Sequence, residues 1–268
     1  MTVRDGPLSQ TSTLELVLRR DGRVLAACIL VVVILAWAYI LSGAGMDMSM
    51  PGMVMAPMAW SPATAPATAL LMFAMWWIMM IAMMVPSAAP TVLLFSAIGR
   101  KQAASGHPSV GAGIFLAGYL LVWAGFSLVA TVLQWGLERR GLMSMDMKTS
   151  SHVIGGIILL TAGLYQFTPI KTVCLKHCQN PLLFLSSQWQ SGTAGALRMG
   201  LQHGAYCLGC CWFLMTLLFF GGVMNFVWIA GIAIYVALEK LLLKSQTLSR
   251  AAGSILALSG ILMLARAL

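Results

Sequence analysis

The stretch from Gly200 to Phe220, GLQHGAYCLGCCWFLMTLLFF, is apolar apart from a few positions, and those positions carry chemistry. His203, Cys207, Cys210 and Cys211 stand at i, i+4, i+7 and i+8. On a helix this spacing places them within an arc of about 100 degrees, one stripe on one face. Thiolate and imidazole are soft or borderline donors, suited to Cu(I) or Zn(II). A lone buried cysteine is usually a small hydrophobe. Three cysteines and a histidine on one face read better as ligands. Gly200 and Gly204 form a GxxxG beside His203, which lets a second helix approach closely and bring further groups in.

A second cluster precedes the first. In YQFTPIKTVCLKHCQNP, Cys174 and Cys178 are i and i+4 on a short amphipathic helix between Pro169 and Pro181, with His177 beside them. The segment leads directly into the helix of the first cluster, so both lie toward the same end. A soft four-ligand site could take two sulfurs from each. The spacing is not that of a zinc finger, and a structural zinc site stays open as the alternative.

Methionine supplies a third and a fourth pattern. MDMSMPGMVMAPM holds six Met in thirteen residues, in a Pro- and Gly-containing segment unsuited to a packed core. Thioethers at Met46, Met48, Met50, Met53 and Met55 select Cu(I), because harder ions prefer oxygen. A shorter echo, MSMDM, begins at Met143. In MFAMWWIMMIAMMVP, Met72, Met75, Met79 and Met83 share a helix face, flanked by Met80 and Met84. That stripe reads either as packing or as a thioether ladder along which a soft ion moves by ligand exchange. Glu239, within IYVALEKLLL, is a further candidate, as a ligand or as a partner of His203; the bland reading is an interface residue snorkelling with Lys240. Asn225 reads as a helix cap.

The elements that must hold these groups follow from composition. Of 268 residues, 60% are hydrophobic and 9% charged, too few charges for a water-facing surface. Apolar runs of about twenty residues match the hydrocarbon thickness, and they do not alternate as barrel strands do. The expected fold is all-α: a polytopic integral membrane helix bundle of about seven transmembrane helices with no soluble domain. The expected helices are 24–41, 68–98 with a proline kink near Val85, 110–137, 151–167, 193–220, 224–243 and 251–267. Residues 1–23 form a cytoplasmic N-terminal segment and 24–268 one membrane domain. Within that domain lie a Met-rich outer loop at 42–67 and a short Cys/His inner helix at 170–180. The first apolar run follows Arg19, Arg20 and Arg23 and reads as an uncleaved helix.

The net charge of +9 sits in short loops and reports topology, not nucleic acid. With the N-terminus inside, twelve Lys and Arg fall inside and four outside, so the bias favours that orientation. Both cysteine clusters then lie toward the inner side and the Met-rich loop outside. There is no P-loop, GxSxG or HExxH, so nucleotide and hydrolase chemistry are not expected.

MWWIMMIAMMVPSAAP, YQFTPIKTVCLKHCQNP, HGAYCLGCCWFLM, NFVWI and LEK together resemble the bacterial predicted metal-binding integral membrane proteins, formerly a domain of unknown function. The resemblance spans roughly Leu70 to Lys240, with CLKHC and CLGCCW its most specific parts. The family includes a membrane protein thought to supply copper to a bacterial polyphenol oxidase (tyrosinase). The resemblance implies Cys174, Cys178, Cys207, Cys210 and Cys211 as metal candidates.

The functional expectation is a Cu(I)-binding protein of the bacterial inner membrane. It would deliver copper to a periplasmic or membrane cuproenzyme, with transport across the bilayer as part of that task and oligomerisation left open. Two alternatives come from other classes. One is a membrane thiol-disulfide oxidoreductase using the Cys207/Cys210 pair, since a CxxC in a helix favours a reactive thiol. The other is a zinc-stapled structural subunit of a membrane complex.

Overall fold

A computed structural model describes residues 8–42, 65–104, 110–143, 147–242 and 245–267. Among these, nine α-helices follow one another: α1 (Leu8–Leu41), α2 (Ala65–Ala104), α3 (Ala112–Arg139), α4 (His152–Tyr165), α5 (Pro169–Gln179), α6 (Pro181–Gln188), α7 (Gly192–Gly221), α8 (Phe226–Leu241) and α9 (Ser245–Ala267). The Met-rich segment at Met46, Met48, Met50, Met53 and Met55 lies outside the described residues.

Local chemistry sets the boundaries. Ser151 caps α4 by accepting from Ile154 N, and Thr168 caps α5 by accepting from Lys171 N. Pro169 and Pro181 open α5 and α6, where a missing N–H costs nothing. Asn225 accepts from Val227 N and Trp228 N to cap α8, as its position in the sequence suggests. Helix α7 stops at Gly222, whose φ of 101° suits glycine alone. Helix α2 is assigned without a break across Pro86 and Pro90.

All seven expected helices form, together with the short helix expected at 170–180, observed as α5, and an eight-residue addition, α6, that the sequence reading omits. Their lengths alter the count of spans. Among the described residues, five helices are long and apolar enough to cross a membrane: the part of α1 from Gly22, α2, α3, α7 and α9. Helix α4 has 14 residues, about 21 Å at 1.5 Å per residue, against a hydrocarbon core of about 30 Å. Helix α8, with 16 residues, is also short. Helices α4 and α5 make a pair bent by 65°, which gives six spans if counted as one.

The bundle is all-α, with its packed core around α2, α3 and α7. Apolar side chains on α1, α3 and α9, such as Leu35, Val132 and Ile255, are exposed. On a soluble protein such a surface is unusual, and it suits contact with lipid.

Helices α3 and α7 meet through glycine. A Cβ on Gly118 would come within 2.9 Å of Leu201 N, and one on Gly204 within 2.9 Å of Val122. A Cβ on Gly200 would drive into the Phe115 carbonyl. The GxxxG therefore does what small residues do between membrane helices and admits a neighbouring backbone. Helices α4 and α9 run antiparallel over Gly156, Gly163, Gly253 and Gly260 in the same way.

Candidate metal centre

Cys207 stands midway along α7 and is fully buried, as are Cys210 and Cys211. The helical stripe expected from their spacing faces the core, and His203, 3% exposed, shares it. Both short helices end at this level. The Tyr165 hydroxyl at the end of α4 donates to Gly209 O, and Lys240 near the end of α8 reaches Cys207. Broken or shortened helices at membrane depth are tolerated where they line a buried site.

The α4–α5 bend folds α5 back against α7. Cys174 Sγ lies against Gly209, where a Cβ would come within 2.8 Å of it. One turn on, Cys178 is a neighbour of Cys207 and Cys210. Cys211 neighbours the same two residues. Four thiols from two helices are thus neighbours, although α5 and α7 are separated by α6.

Helix α2 adds a fifth sulfur. Cys211 Sγ is 3.9 Å from Met84 Sδ. Met72, Met75, Met79, Met80, Met83 and Met84 are all buried, so the Met stripe faces the bundle interior and not lipid. It runs from the thiols toward Trp76, whose Nε1 donates to Gln134 Oε1 at 2.7 Å. The Gln134 amide in turn lies 3.8 Å from Met147 Sδ, at the far end of the bundle. Sulfur atoms therefore extend along much of the interior, from Met147 through α2 to the cysteines.

The thiols are gathered but not closed around a point. Cys210 and Cys211 each donate to the Cys207 carbonyl at 3.0 Å, the usual bond of a helical thiol to the preceding turn. Among the described residues no three His, Cys, Asp or Glu side chains take up metal-ligand geometry.

Three residues around Cys207 complete the environment. Lys240 Nζ donates to Cys207 Sγ at 3.0 Å and to Ser87 Oγ at 2.9 Å. The Tyr119 hydroxyl lies 3.1 Å from Cys207 Sγ and donates to Met84 O. Tyr119 arrives because the glycine contact lets α3 sit close to α7. The His203 ring packs among Phe115, Tyr119 and Phe184, and its Nδ1 is buried without a hydrogen-bond partner among the described residues. An unsatisfied buried nitrogen is costly, and it leaves that atom a lone polar group one turn from Cys207.

The remaining candidates have other partners. His177 is half-buried, stacked on Tyr206 with ring centroids 4.1 Å apart, and its Nδ1 contacts Val173 O at 2.9 Å. Among the described residues Glu239 makes no hydrogen bond to His203. Its Oε1 accepts from Lys171 at 2.5 Å, from Tyr235 at 3.1 Å and from Ser249. Lys171 and Glu239 are each 1% exposed, and Lys171 also donates to Gln166 Oε1. The carboxylate is a tie between α5, α8 and α9.

The sequence reading missed Lys240, Tyr119 and Ser87. Lys240 had a signal: it is an ionisable residue in an apolar helix, and such groups are functional by default. Adjacency to Glu239 at a helix end made a snorkelling surface residue the simpler expectation. Nothing in the local sequence marks Tyr119 or Ser87, because their role depends on which helices meet.

No curated protein and no solved structure matches the chain. A family model, PpoB2, described as a copper chaperone, matches residues 73–263. That range covers well over half of the chain, and it contains the buried Met stripe from Met75 on, α5 and all of α7. The match and the sulfur-lined interior agree, and the chain belongs to the PpoB2 family of copper chaperones.

Proposed function

We propose that this chaperone carries Cu(I) on the thiols of Cys178, Cys207, Cys210 and Cys211 and delivers it to a cuproenzyme. The observation that carries this reading is the meeting of α5 and α7, which puts Cys178 beside Cys207 and Cys210. Soft thiolates, three of them buried, with a thioether at their edge, favour Cu(I) over harder ions. Zinc is the alternative that four thiolates also suit.

Copper is the cargo, so the site must release as well as hold. Met84 touches Cys211, and Met83 and Met79 continue the buried face. Thioethers bind Cu(I) more weakly than thiolates, which suits a path of exchange. In this scheme Met46, Met48, Met50, Met53 and Met55 form the outer capture or hand-off segment. His203 is an adjacent donor, and Cys174 an entry ligand. His177 and Glu239 support α5 and the Lys171 tie, not the ion. The charge bias of the loops favours an N-terminus in the cytoplasm, in the inner membrane, with α5 on the inner side and Cys207 midway along α7.

The test is transfer. Protein loaded with one Cu(I) is mixed with copper-free polyphenol oxidase, the client class suggested by sequence resemblance, in excess bathocuproine sulfonate. Recovery of oxidase activity despite the chelator is expected for the wild type and not for Cys207→Ser. Activation that depends only on free copper, at equal rates with and without the chaperone, contradicts delivery.

A further inference from the structure

A second polar feature lies away from the sulfurs. A cavity of about 410 Å³ opens between α5 and the first turns of α9, at the α4–α5 bend. Lys171, Lys176 and Arg250 line it, with amide and hydroxyl side chains between them and no carboxylate in the wall. Glu239, behind the wall, is paired with Lys171. Lys176 and Arg250 bring two further positive charges, and among the described residues no lining carboxylate answers them.

One lining group asks for an acceptor. Gln166 is 3% exposed; its Oε1 is taken by Lys171, and its Nε2 is buried with no partner among the described residues. An orphan donor of this kind costs free energy unless an oxygen reaches it. Helix α9 also begins at the cavity with Ser245, and a helix N-terminus favours an anion.

Part of the rim is apolar: Phe167 lines the cavity and is 49% exposed. A free ion in water gains nothing from that rim, whereas acyl chains do. Helix α9 is about 35 Å long at 1.5 Å per residue, enough to place its first turn at the headgroup level of a bilayer.

We propose that this cavity binds the headgroup phosphate of an anionic phospholipid, held by Lys176, Arg250 and the Gln166 amide. Basic pockets between membrane helices recognise anionic headgroups in this way. Such a lipid would clamp α5, and with it Cys178, against the rest of the bundle.

The test uses the full-length protein in neutral detergent, titrated with phosphatidylglycerol, phosphatidylcholine or inorganic phosphate, with retained ligand read by native mass spectrometry. Each cation near an anionic headgroup is worth about fivefold, so the two should favour phosphatidylglycerol over phosphatidylcholine by roughly thirtyfold. Lys176→Gln with Arg250→Gln should remove that preference. Arg139→Gln with Arg140→Gln, at the other end of the bundle, should leave it. Equal retention of the two lipids, or an unchanged preference in the Lys176/Arg250 variant, overturns the site. Inorganic phosphate displacing phosphatidylglycerol at equal concentration overturns the lipid as its occupant.

Discussion

Lys240 Nζ lies 3.0 Å from Cys207 Sγ, in the interior of the bundle, and 2.9 Å from Ser87 Oγ. A Cu(I) ion held by two or three thiolates carries a net negative charge, which an apolar interior disfavours. An ammonium beside one of those sulfurs offsets it. Lys240→Met keeps the length of the side chain and removes the charge. Groups that tune a ligand in this way contribute about 10- to 100-fold in metal affinity. Cu(I) affinity by chelator competition should fall within that range, with Lys240→Arg closer to the wild type. Unchanged affinity in Lys240→Met would make the contact a packing feature.

The Lys171–Glu239 pair predicts an asymmetry in stability. Both groups are 1% exposed, so removing one strands a buried charge at a cost of roughly 3–5 kcal/mol. Lys171→Met or Glu239→Leu alone should sharply lower the thermal midpoint in detergent. The two together should recover much of the loss. A double variant as unstable as the sum of the singles would show that the pair is not the source.

Glycine at the α3–α7 contact is tested by Gly200→Ala. The added methyl meets the Phe115 carbonyl, so α3 must move away from α7, at a cost of about 1–3 kcal/mol. Tyr119 would withdraw from Cys207 with it. Gly113→Ala on α3 meets nothing within 4 Å and should be neutral or slightly stabilising. Equal thermal midpoints for the two variants would argue against the close approach.

The buried methionines separate holding from movement. Met79→Leu, Met83→Leu and Met84→Leu nearly conserve volume, and each should cost less than about 1.5 kcal/mol. Bound copper should stay at the wild-type level, while the rate of transfer to a chelator should drop. A transfer rate equal to that of the wild type would leave the stripe as core packing.

The Met-rich segment has a separate signature. Leu at Met46, Met48, Met50, Met53 and Met55 keeps hydrophobicity and removes sulfur. Client activity should fall when copper is scarce and recover when it is abundant, because thioethers suit capture more than retention. An identical response at every copper level contradicts a capture role.

The helical architecture was legible because it rests on composition and on runs of apolar residues. The span count was not, since it turns on how far α4 and α8 reach. Their apolar stretches read as full spans, but the Thr168–Pro169 cap ends one early, and α8 finishes at the Lys240 level. The α7 stripe followed from helical spacing alone. That Cys178 belongs with it follows from the 65° bend between α4 and α5, which no local pattern encodes. Glu239 and Lys240 were visible as intramembrane charges. Which faced the thiols and which faced Lys171 depended on the rotation of α8, a property of packing.

The central claim is that the α5–α7 thiols hold copper. The direct measurement is elemental analysis of full-length protein purified without chelators, beside a Cys178/Cys207/Cys210/Cys211→Ser variant. Serine nearly conserves volume, so the variant should accumulate to a similar level. Copper near one equivalent in the wild type and almost none in the variant is the predicted result. Stoichiometric zinc in place of copper, or equal copper in both proteins, would contradict it.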